Sequence, residues 1–192
     1  MPADVVTSEQ TPGPGVPSPA GHHHLWVFVA GLAAAAALVV ALVVSTGGGP
    51  MRAPSFAPLV RLGGGPPVTL PSGHGSGHAT AVVFFASWCP PCQAELPMVA
   101  RMARRAATSA GAVAFIGVDG NDEPTAGLAF ARASGVAFPV GEDPDSMVAP
   151  RFGLVGYPDI VFIGADGTVL GTARGAISAS SLRGWLARLG AP

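Results

Sequence analysis

The sequence contains two cysteines, Cys89 and Cys92, which lie three residues apart in the string W-C-P-P-C. A lone close pair is either a redox-active dithiol or half of a metal site, because structural disulfide frameworks use more bridges and wider loops. A zinc site would need a second pair of ligands, and the histidines outside the N-terminal tail, His74 and His78, lie in a Gly/Ser-rich stretch. We therefore interpret the cysteines as a redox pair and expect neither a metal nor a cofactor.

The segments on either side of the pair predict a strand before it and a helix after it. Residues 79–86 are almost continuously apolar, as in a central strand buried on both faces, and residues 90–108 have a helical pattern. The N-terminus of a helix presents free N–H groups and a positive partial charge, which favour a thiolate over a thiol. We therefore assign Cys89 as the attacking nucleophile and Cys92 as the thiol that resolves the mixed disulfide.

Four neighbours of the cysteines are candidate site residues. Pro90 and Pro91 fit the first helical turn, where a missing N–H costs nothing, and they stiffen the ring between the cysteines. Trp88 precedes the nucleophile and either shields one side of it or belongs to the core. Glu95 follows Cys92 by three residues and could raise the thiol pKa values or relay a proton. The alternative for Glu95 is a solvated, partly exposed helix residue with little effect on stability.

A second candidate feature is the string Gly156, Tyr157 and Pro158, which stands directly before a predicted strand. A proline at the start of a strand, after a glycine, fits a cis peptide bond. A cis bond between Tyr157 and Pro158 would leave the Tyr157 backbone free to pair with an extended substrate. The alternative is an ordinary trans proline in a turn.

The rest of the sequence alternates between strand and helix patterns, which indicates an α/β fold. Asp122 is expected to cap a helix that has Pro124 in its first turn and Gly135 just past its end. Ser178 is expected to cap a final amphipathic helix, whose apolar face carries Leu182, Trp185, Leu186 and Leu189. Other elements are predicted as a strand at 112–118, a short strand or extended segment at 136–140, a short helix at 144–152, a hairpin of strands at 159–163 and 168–172, and a short edge strand at 67–70.

The first 52 residues predict a membrane-tethering segment. Residues 1–24 are rich in Pro, Gly and Ser and are expected to be disordered. Residues 25–44 are apolar and uncharged, and a helix of this length spans about 30 Å, the thickness of the bilayer core. We interpret them as an uncleaved transmembrane anchor, with a cleaved signal peptide as the alternative, and residues 45–52 as a linker.

The charge distribution bears on orientation and on partners. Arg52 and Arg61 follow the predicted anchor and no Lys or Arg precedes it, so the positive-inside rule alone would place the C-terminal domain in the cytoplasm. The whole chain has 10 basic against 11 acidic residues. This balance argues against nucleic acid as the partner, because nucleic-acid binding requires a basic face.

Four motifs resemble those of the TlpA/ResA-like branch of the thioredoxin superfamily, which also contains the DsbE/CcmG proteins of cytochrome c maturation. The string V-V-F-F-A-S-W-C-P-P-C-Q-A-E-L-P at 82–97 resembles the active site of that branch. A-P-S-F at 53–56 resembles its opening segment, G-Y-P-D-I-V-F-I-G-A-D-G at 156–167 its cis-proline loop and hairpin, and R-G at 174–175 the segment before its last helix. The resemblance covers about residues 53–190.

The resemblance implies a thioredoxin-like α/β fold over residues 53–192, with a central mixed sheet flanked by helices and preceded by one N-terminal transmembrane helix. It implies Cys89 and Cys92 as the redox pair and Pro158 as the cis proline. Val83 stands where cytosolic thioredoxins have a buried aspartate. Glu95, which matches the family's glutamate after the second cysteine, is therefore the best candidate for proton relay.

The resemblance also implies a location and an activity. The protein would be a single-pass protein of the cytoplasmic membrane with its catalytic domain on the extracytoplasmic side, since the active-site motif outweighs two arginines. It would reduce disulfides of exported proteins, among them apocytochrome c, with electrons from a membrane donor. The same site acting as an oxidant is the first alternative. The intact C-x-x-C argues against a binding or chaperone module, and the sequence has no further cysteine for a peroxidase-like redoxin.

Overall fold

The computed structural model describes residues 50–108 and 112–190, together with Leu32, which is helical. The elements below belong to one compact unit, Gly49–Pro192. The predicted tail at 1–24, the predicted anchor at 25–44 apart from Leu32, and the linker before residue 50 lie outside the described residues. Among the helices that are described, none combines the length and the apolar character needed to cross a bilayer.

The described residues contain one mixed sheet, whose strands are β1 (Thr80–Phe85), β2 (Ala114–Gly120), β3 (Val140–Asp143), β4 (Asp159–Ile163) and β5 (Val169–Arg174). Their order across the sheet is β3-β2-β1-β4-β5. β2 pairs in parallel with both β1 and β3, whereas β4 lies antiparallel to β1 and β5. The carboxyl ends of β1 and β2 therefore meet at one edge of the sheet, and the cysteines follow the end of β1 at this edge.

The helices that accompany this sheet are α1 (Pro90–Ala106), α2 (Pro124–Ala133) and α3 (Ala179–Arg188), and a 3-10 helix spans Ala149–Phe152. α1 connects β1 to β2 and α2 connects β2 to β3. Parallel neighbours need crossover connections of this kind, because a tight turn joins only antiparallel strands. β4 and β5 instead form the predicted hairpin.

The central strand β1 is buried on both faces because its side chains alternate between two apolar clusters. Val83 and Phe85 belong to the cluster to which α1, α2 and α3 all contribute. Val82 and Phe84 belong to a second cluster, which the 3-10 helix and the segment around Ala53 complete. The near-continuous apolar run at 79–86 follows from this burial, since neither face of the strand contacts water.

The last helix confirms the sequence prediction in detail. The Ser178 hydroxyl oxygen accepts a hydrogen bond from the N–H of Ser181 at 3.1 Å and caps α3. Leu182 and Leu186 are buried, and the Trp185 ring stacks on Phe162 with the ring centroids 4.5 Å apart. The amphipathic stripe thus anchors α3 to the sheet.

Two segments differ from their strand predictions. At 136–140 the strand alternative is wrong, because pairing with β2 begins only where Val140 faces Gly117 and continues as β3 to Asp143. A side chain at Gly117 would press on Val140, so the glycine gives this register room. The edge strand placed at 67–70 is reduced to one bridge between Leu59 and Val68.

One helix prediction is also wrong in its length. The helix placed at 144–152 is the 3-10 helix Ala149–Phe152, preceded by a turn. The Asp143 carboxylate accepts hydrogen bonds from the N–H groups of Met147 and Val148, at 2.9 and 3.0 Å. These bonds hold the preceding residues in a turn and delay the start of helical structure.

Candidate active site

The cysteines lie just beyond the carboxyl end of β1, where α1 begins. Cys89 is the N-cap residue of α1, and its Sγ accepts a hydrogen bond from the N–H of Cys92 at 3.2 Å. Pro90 and Pro91 stand in the first turn, as predicted. The cysteines form a disulfide with their Cα atoms 5.2 Å apart, and both are buried. The Cys89 sulfur therefore lies at the positive end of a helix, an environment that favours a thiolate.

The histidines considered as zinc ligands do not join the cysteines. His78 lies two residues before the start of β1, and Cys89 lies beyond the end of that strand. A six-residue strand is about 20 Å long. His74 belongs to the same loop as His78, so the two sets of residues occupy opposite edges of the sheet.

The loop after β2 holds Ser87 and Trp88, the two residues that precede Cys89. The Asp122 carboxylate accepts hydrogen bonds from both the backbone N–H and the hydroxyl of Ser87, the second at 2.8 Å. The indole N–H of Trp88 donates to the backbone carbonyl of Asn121 at 2.7 Å. The chain segment directly before Cys89 is therefore held by hydrogen bonds to the loop that follows β2.

This arrangement corrects the role predicted for Asp122. The N-cap residue of α2 is Glu123, and its side chain makes no capping hydrogen bond. The Asp122 carboxylate accepts the N–H of Glu123 at 2.9 Å and otherwise turns to Ser87. Asp122 thus belongs to the candidate site rather than to the helix end.

The aromatic side chains beside the disulfide are exposed enough to meet a substrate. Trp88 is 53% exposed, so its interpretation as a core tryptophan is wrong. Its ring meets that of Tyr157 edge to face, with the centroids 6.0 Å apart. The Tyr157 hydroxyl shares a hydrogen bond of 3.0 Å with the Ser146 hydroxyl. The bond between Tyr157 and Pro158 is cis, as predicted.

Glu95 is buried, with 6% of its surface exposed, and its interpretation as a solvated helix residue is wrong. It lines a narrow gap beneath the disulfide together with Cys92 and Pro158. Its Oε2 accepts a hydrogen bond from the N–H of Ile177 at 2.7 Å. Burial raises the pKa of the Glu95 carboxyl, the bond from Ile177 opposes that rise, and the nearby charge of Asp159 adds to it.

Asp159, directly after the cis proline, is a second buried carboxyl, and its charge acts on Glu95. Its Oδ1 accepts the N–H of Gly175 at 2.8 Å. Burial raises its pKa, against the opposing effects of this hydrogen bond and of Arg174. Glu95 and Asp159 thus both hold the short loop that leads into α3.

Asp119 is a third buried carboxyl, at the carboxyl end of β2. Burial raises its pKa to about 8, and the neighbouring acidic groups of Asp122 and Glu142 contribute to the rise. The Asp119 carboxyl therefore keeps its proton to a higher pH than an exposed aspartate does.

Sequence analysis assigned no site role to Asp119, Asp159 or Ser146, and it misassigned Asp122. One signal could have found Asp119 and Asp122. Both follow an apolar strand at its carboxyl end, and the carboxyl ends of parallel strands share an edge of the sheet with Cys89. Ser146 offers no comparable signal, because its contact with Tyr157 depends on the path of a long loop.

Comparison with known proteins identifies the family. The model of the AhpC/TSA family matches residues 52–171. The chain belongs to the AhpC/TSA family. This AhpC/TSA chain is 33% identical over 95 residues to the thiol:disulfide interchange protein CycY of Rhizobium leguminosarum bv. viciae, covering 49% of this chain and 48% of CycY. It is 34% identical over 90 residues to the DsbE homologue of Paracoccus denitrificans, covering 46% of each chain.

A solved structure shows the same fold. The secreted Mycobacterium tuberculosis disulfide oxidoreductase homologous to Escherichia coli DsbE is 26% identical, with a TM-score of 0.61 over 69% of this chain and 96% of that one. The thioredoxin-like fold and the resemblance to TlpA/ResA-like and DsbE-related proteins are thereby confirmed for this AhpC/TSA chain. The chain spans about half the length of the curated relatives it matches.

Proposed function

We propose that the chain is a thiol:disulfide oxidoreductase that works through Cys89 and Cys92. The observation that carries this proposal is the hydrogen bond from the Cys92 N–H to the Cys89 sulfur at the N-terminus of α1. A sulfur in this position is stabilised as a thiolate, which is the form that attacks disulfides. Further support comes from the names of CycY and the DsbE homologue, which are thiol:disulfide interchange proteins.

The reaction begins with the reduced pair. The Cys89 thiolate attacks one sulfur of the substrate disulfide, whose S–S bond breaks and releases a substrate thiolate. The Cys92 thiolate then attacks the Cys89 sulfur, which forms the disulfide seen here and releases the second substrate thiolate. Two electrons pass from the pair to the substrate, and each released thiolate takes up one proton. A membrane-bound dithiol donor returns the pair to the reduced state.

Glu95 takes part by controlling protons at the resolving cysteine. It lines the same gap as Cys92 and is buried, so the charge it carries acts on the thiols with little screening. An ionised carboxylate disfavours a neighbouring thiolate, and a protonated one can donate its proton to it. Val83 is apolar and cannot supply this function from the central strand.

The substrate docks on the exposed rim of the site. Trp88 and Tyr157 form an aromatic ledge, and Pro90 and Pro91 expose the first turn of α1 beside it. The Tyr157 backbone, next to Pro158, pairs with an extended segment of the substrate. A rim of this kind accepts an unfolded polypeptide, because backbone pairing requires an extended chain and an aromatic ledge tolerates many side chains.

The direction we propose is reduction. The buried carboxyl of Glu95 lines the same gap as Cys92, and the charge of Asp159 acts on Glu95 in turn. A neighbouring carboxylate disfavours thiolates, and it therefore opposes the stabilisation of the reduced form that makes a pair strongly oxidising. The substrates are disulfide-containing exported proteins, with apocytochrome c as one candidate. We further propose that residues 25–44 anchor the chain in the cytoplasmic membrane, with residues 53–192 as an extracytoplasmic domain.

The test of the cysteine roles is a trapping experiment. Reduced Cys92→Ser and reduced Cys89→Ser chains are each mixed with insulin, a disulfide-containing protein, and disulfide-linked adducts are measured by mass spectrometry without reductant. We expect Cys92→Ser to accumulate an adduct through Cys89, because the resolving thiol is missing. We expect Cys89→Ser to form none.

The double variant Cys89→Ser/Cys92→Ser is the matched control for noncovalent association. Adducts that form through Cys92 in preference to Cys89 would reverse the assigned roles. If neither single variant forms an adduct while the double variant still binds insulin, the chain is a binding module and the proposed activity is wrong.

A further inference from the structure

The carboxyl of Asp119 is unusual because it is buried without full hydrogen bonding. Asp119 is 3% exposed, and within the described residues its Oδ1 has no hydrogen-bond partner. In the sheet it lies between Phe85 of β1 and Glu142 of β3. A buried polar group without a partner is costly, so its retention at the edge of the active site requires an explanation.

Helix α2 makes room for this carboxyl. A Cβ atom at Gly127 would collide with Oδ2 of Asp119, whereas the glycine leaves space for it. Glycine is a poor helix former. The three heavy atoms nearest to a Cβ at Gly127 would all be those of the Asp119 carboxyl, so the space for this carboxyl accounts for the glycine in α2. The packing therefore holds the Asp119 carboxyl against α2 in one position.

The carboxyl of Asp119 also lies within hydrogen-bonding reach of Asp122. Asp122 in turn accepts the N–H and the hydroxyl of Ser87, two residues before the nucleophile. Asn121, in the same loop, holds the indole of Trp88. A continuous chain of contacts therefore runs from the buried carboxyl to the residues that precede Cys89.

We propose that Asp119 and Asp122 share one proton at neutral pH and that the pair positions Ser87 and Trp88 for disulfide exchange at Cys89. Protonated Asp119 donates to the Asp122 carboxylate, which keeps its remaining lone pairs for Ser87. When Asp119 loses its proton, two carboxylates face each other and Asp122 moves away, which loosens the segment before the nucleophile. Asp119 is thus a positioning residue, and this inference rests on the proposed function.

The groups that face Asp119 support a titration in the alkaline range. Asp122 follows it in the chain and Glu142 lies beside it on β3, and both are acidic. From the loop before β4, the Tyr157 phenol faces it, and Asp143 acts on that phenol. Helix α2 contributes Gly127, which carries no charge. Burial and these neighbours raise the pKa of Asp119 to about 8.

The first test compares exchange rates of full-length wild type and Asp119→Asn with the small disulfide 5,5′-dithiobis(2-nitrobenzoate) between about pH 6 and pH 10. Asn keeps a donor to Asp122 but cannot ionise. Taking the ratio of the two rates removes the titration of the thiols, which is common to both chains. We expect the ratio of wild-type to variant rate to be constant below about pH 7 and to fall about fivefold above pH 8, the effect of one hydrogen bond of ordinary strength.

Two further variants separate positioning from general damage. Asp119→Ala lacks the donor, so we expect it to be slower than Asp119→Asn at every pH, which makes Asn the conservative rescue. Glu123→Gln removes an exposed acidic charge from the same loop, and we expect its rate ratio to wild type to stay constant with pH. A ratio for Asp119→Asn that is also constant with pH overturns the inference while leaving the exchange activity intact.

A second measurement needs no variant and no activity. In the disulfide form of the wild-type chain the cysteines do not titrate, so the NMR signals of the Ser87 amide and the Trp88 indole N–H report on the carboxyl pair. We expect both signals to shift together with a midpoint at about pH 8, the range of the raised pKa of Asp119. Signals that do not move between about pH 6.5 and pH 9 overturn the inference, whatever the outcome of the exchange assay.

Discussion

The Glu95 carboxylate accepts a hydrogen bond from the backbone N–H of Ile177 at 2.7 Å, although 82 residues separate the two in sequence. The bond joins α1, one turn beyond Cys92, to the loop that leads into α3. It holds a buried carboxyl in the gap beneath the disulfide. We therefore expect a change in the charge of Glu95 to affect both the pKa of the cysteine thiols and the packing of α3.

Replacing Glu95 by Gln should lower the apparent pKa of the Cys89 thiol in the reduced chain. The amide keeps an acceptor for Ile177 but removes the negative charge that disfavours a thiolate. We expect a fall of about one pKa unit, the typical effect of one nearby charge, or about 1.4 kcal/mol. The measurement is the rate of alkylation by iodoacetamide as a function of pH.

Asp166→Asn is the matched control for this experiment, because it removes an exposed carboxylate from the hairpin between β4 and β5, away from the cysteines. Its alkylation curve should coincide with that of wild type. If the Glu95→Gln curve coincides as well, Glu95 has no effect on the thiols and its burial serves only the attachment of α3.

Asp119 should make the protein less stable as the pH rises from acid to weakly alkaline. Its pKa is about 8 in the folded chain, above the ordinary value of 3.8. Between these values the folded chain holds a proton that the unfolded chain has lost. The stabilising contribution is therefore complete below about pH 4 and is lost by about pH 8, with a slope of about 1.4 kcal/mol per pH unit.

The measurement for this prediction is urea unfolding of the oxidised chain at several pH values between about 4 and 8. Asp119→Asn cannot titrate, so its free energy of unfolding should fall less steeply than that of wild type. The exposed Glu123→Gln variant should retain the wild-type slope. Equal slopes for wild type and Asp119→Asn would show that Asp119 ionises normally in the folded chain.

Two helical glycines should respond in opposite ways to replacement by alanine. A Cβ at Gly127 would collide with the Asp119 carboxylate, whereas a Cβ at Gly184 in α3 would meet no heavy atom within 4 Å. Gly184→Ala should stabilise the protein by about 0.5–1 kcal/mol through helix propensity. Gly127→Ala should destabilise it by about 1–3 kcal/mol through overpacking. The measurement is the thermal unfolding midpoint of both variants. A higher midpoint for both would contradict the close packing of α2 on Asp119.

The features of the site that sequence analysis predicted depend on neighbours in the chain. The W-C-P-P-C string after an apolar run was enough to place Cys89 at a helix N-terminus, and a glycine before Tyr157 and Pro158 was enough to suggest the cis bond. The cap at Ser178 was likewise local. In each case, the residues that determine the geometry lie within a few positions of each other.

The features that sequence analysis missed depend on contacts between distant segments. For Glu95 the sequence leaves two alternatives, a proton relay and a solvated helix residue, and the burial that excludes the second involves a contact with the distant Ile177. Asp122 is predicted as a helix cap because it precedes α2, but its carboxylate accepts hydrogen bonds from Ser87 instead. The extent of β3 depends on the room that Gly117 leaves for Val140. Local patterns carry no information on such pairings.

The equilibrium reduction potential of the Cys89–Cys92 pair tests the central claim, that the pair exchanges disulfides as a reductant. The full-length chain is equilibrated in buffers of defined ratios of reduced to oxidised dithiothreitol or glutathione, and the fraction of disulfide is measured by alkylation and mass spectrometry. We predict a two-electron transition close to that of thioredoxin, at about −270 mV. A potential near that of a strong oxidant, about −120 mV, would contradict reduction, and the absence of any two-electron transition would contradict disulfide exchange itself.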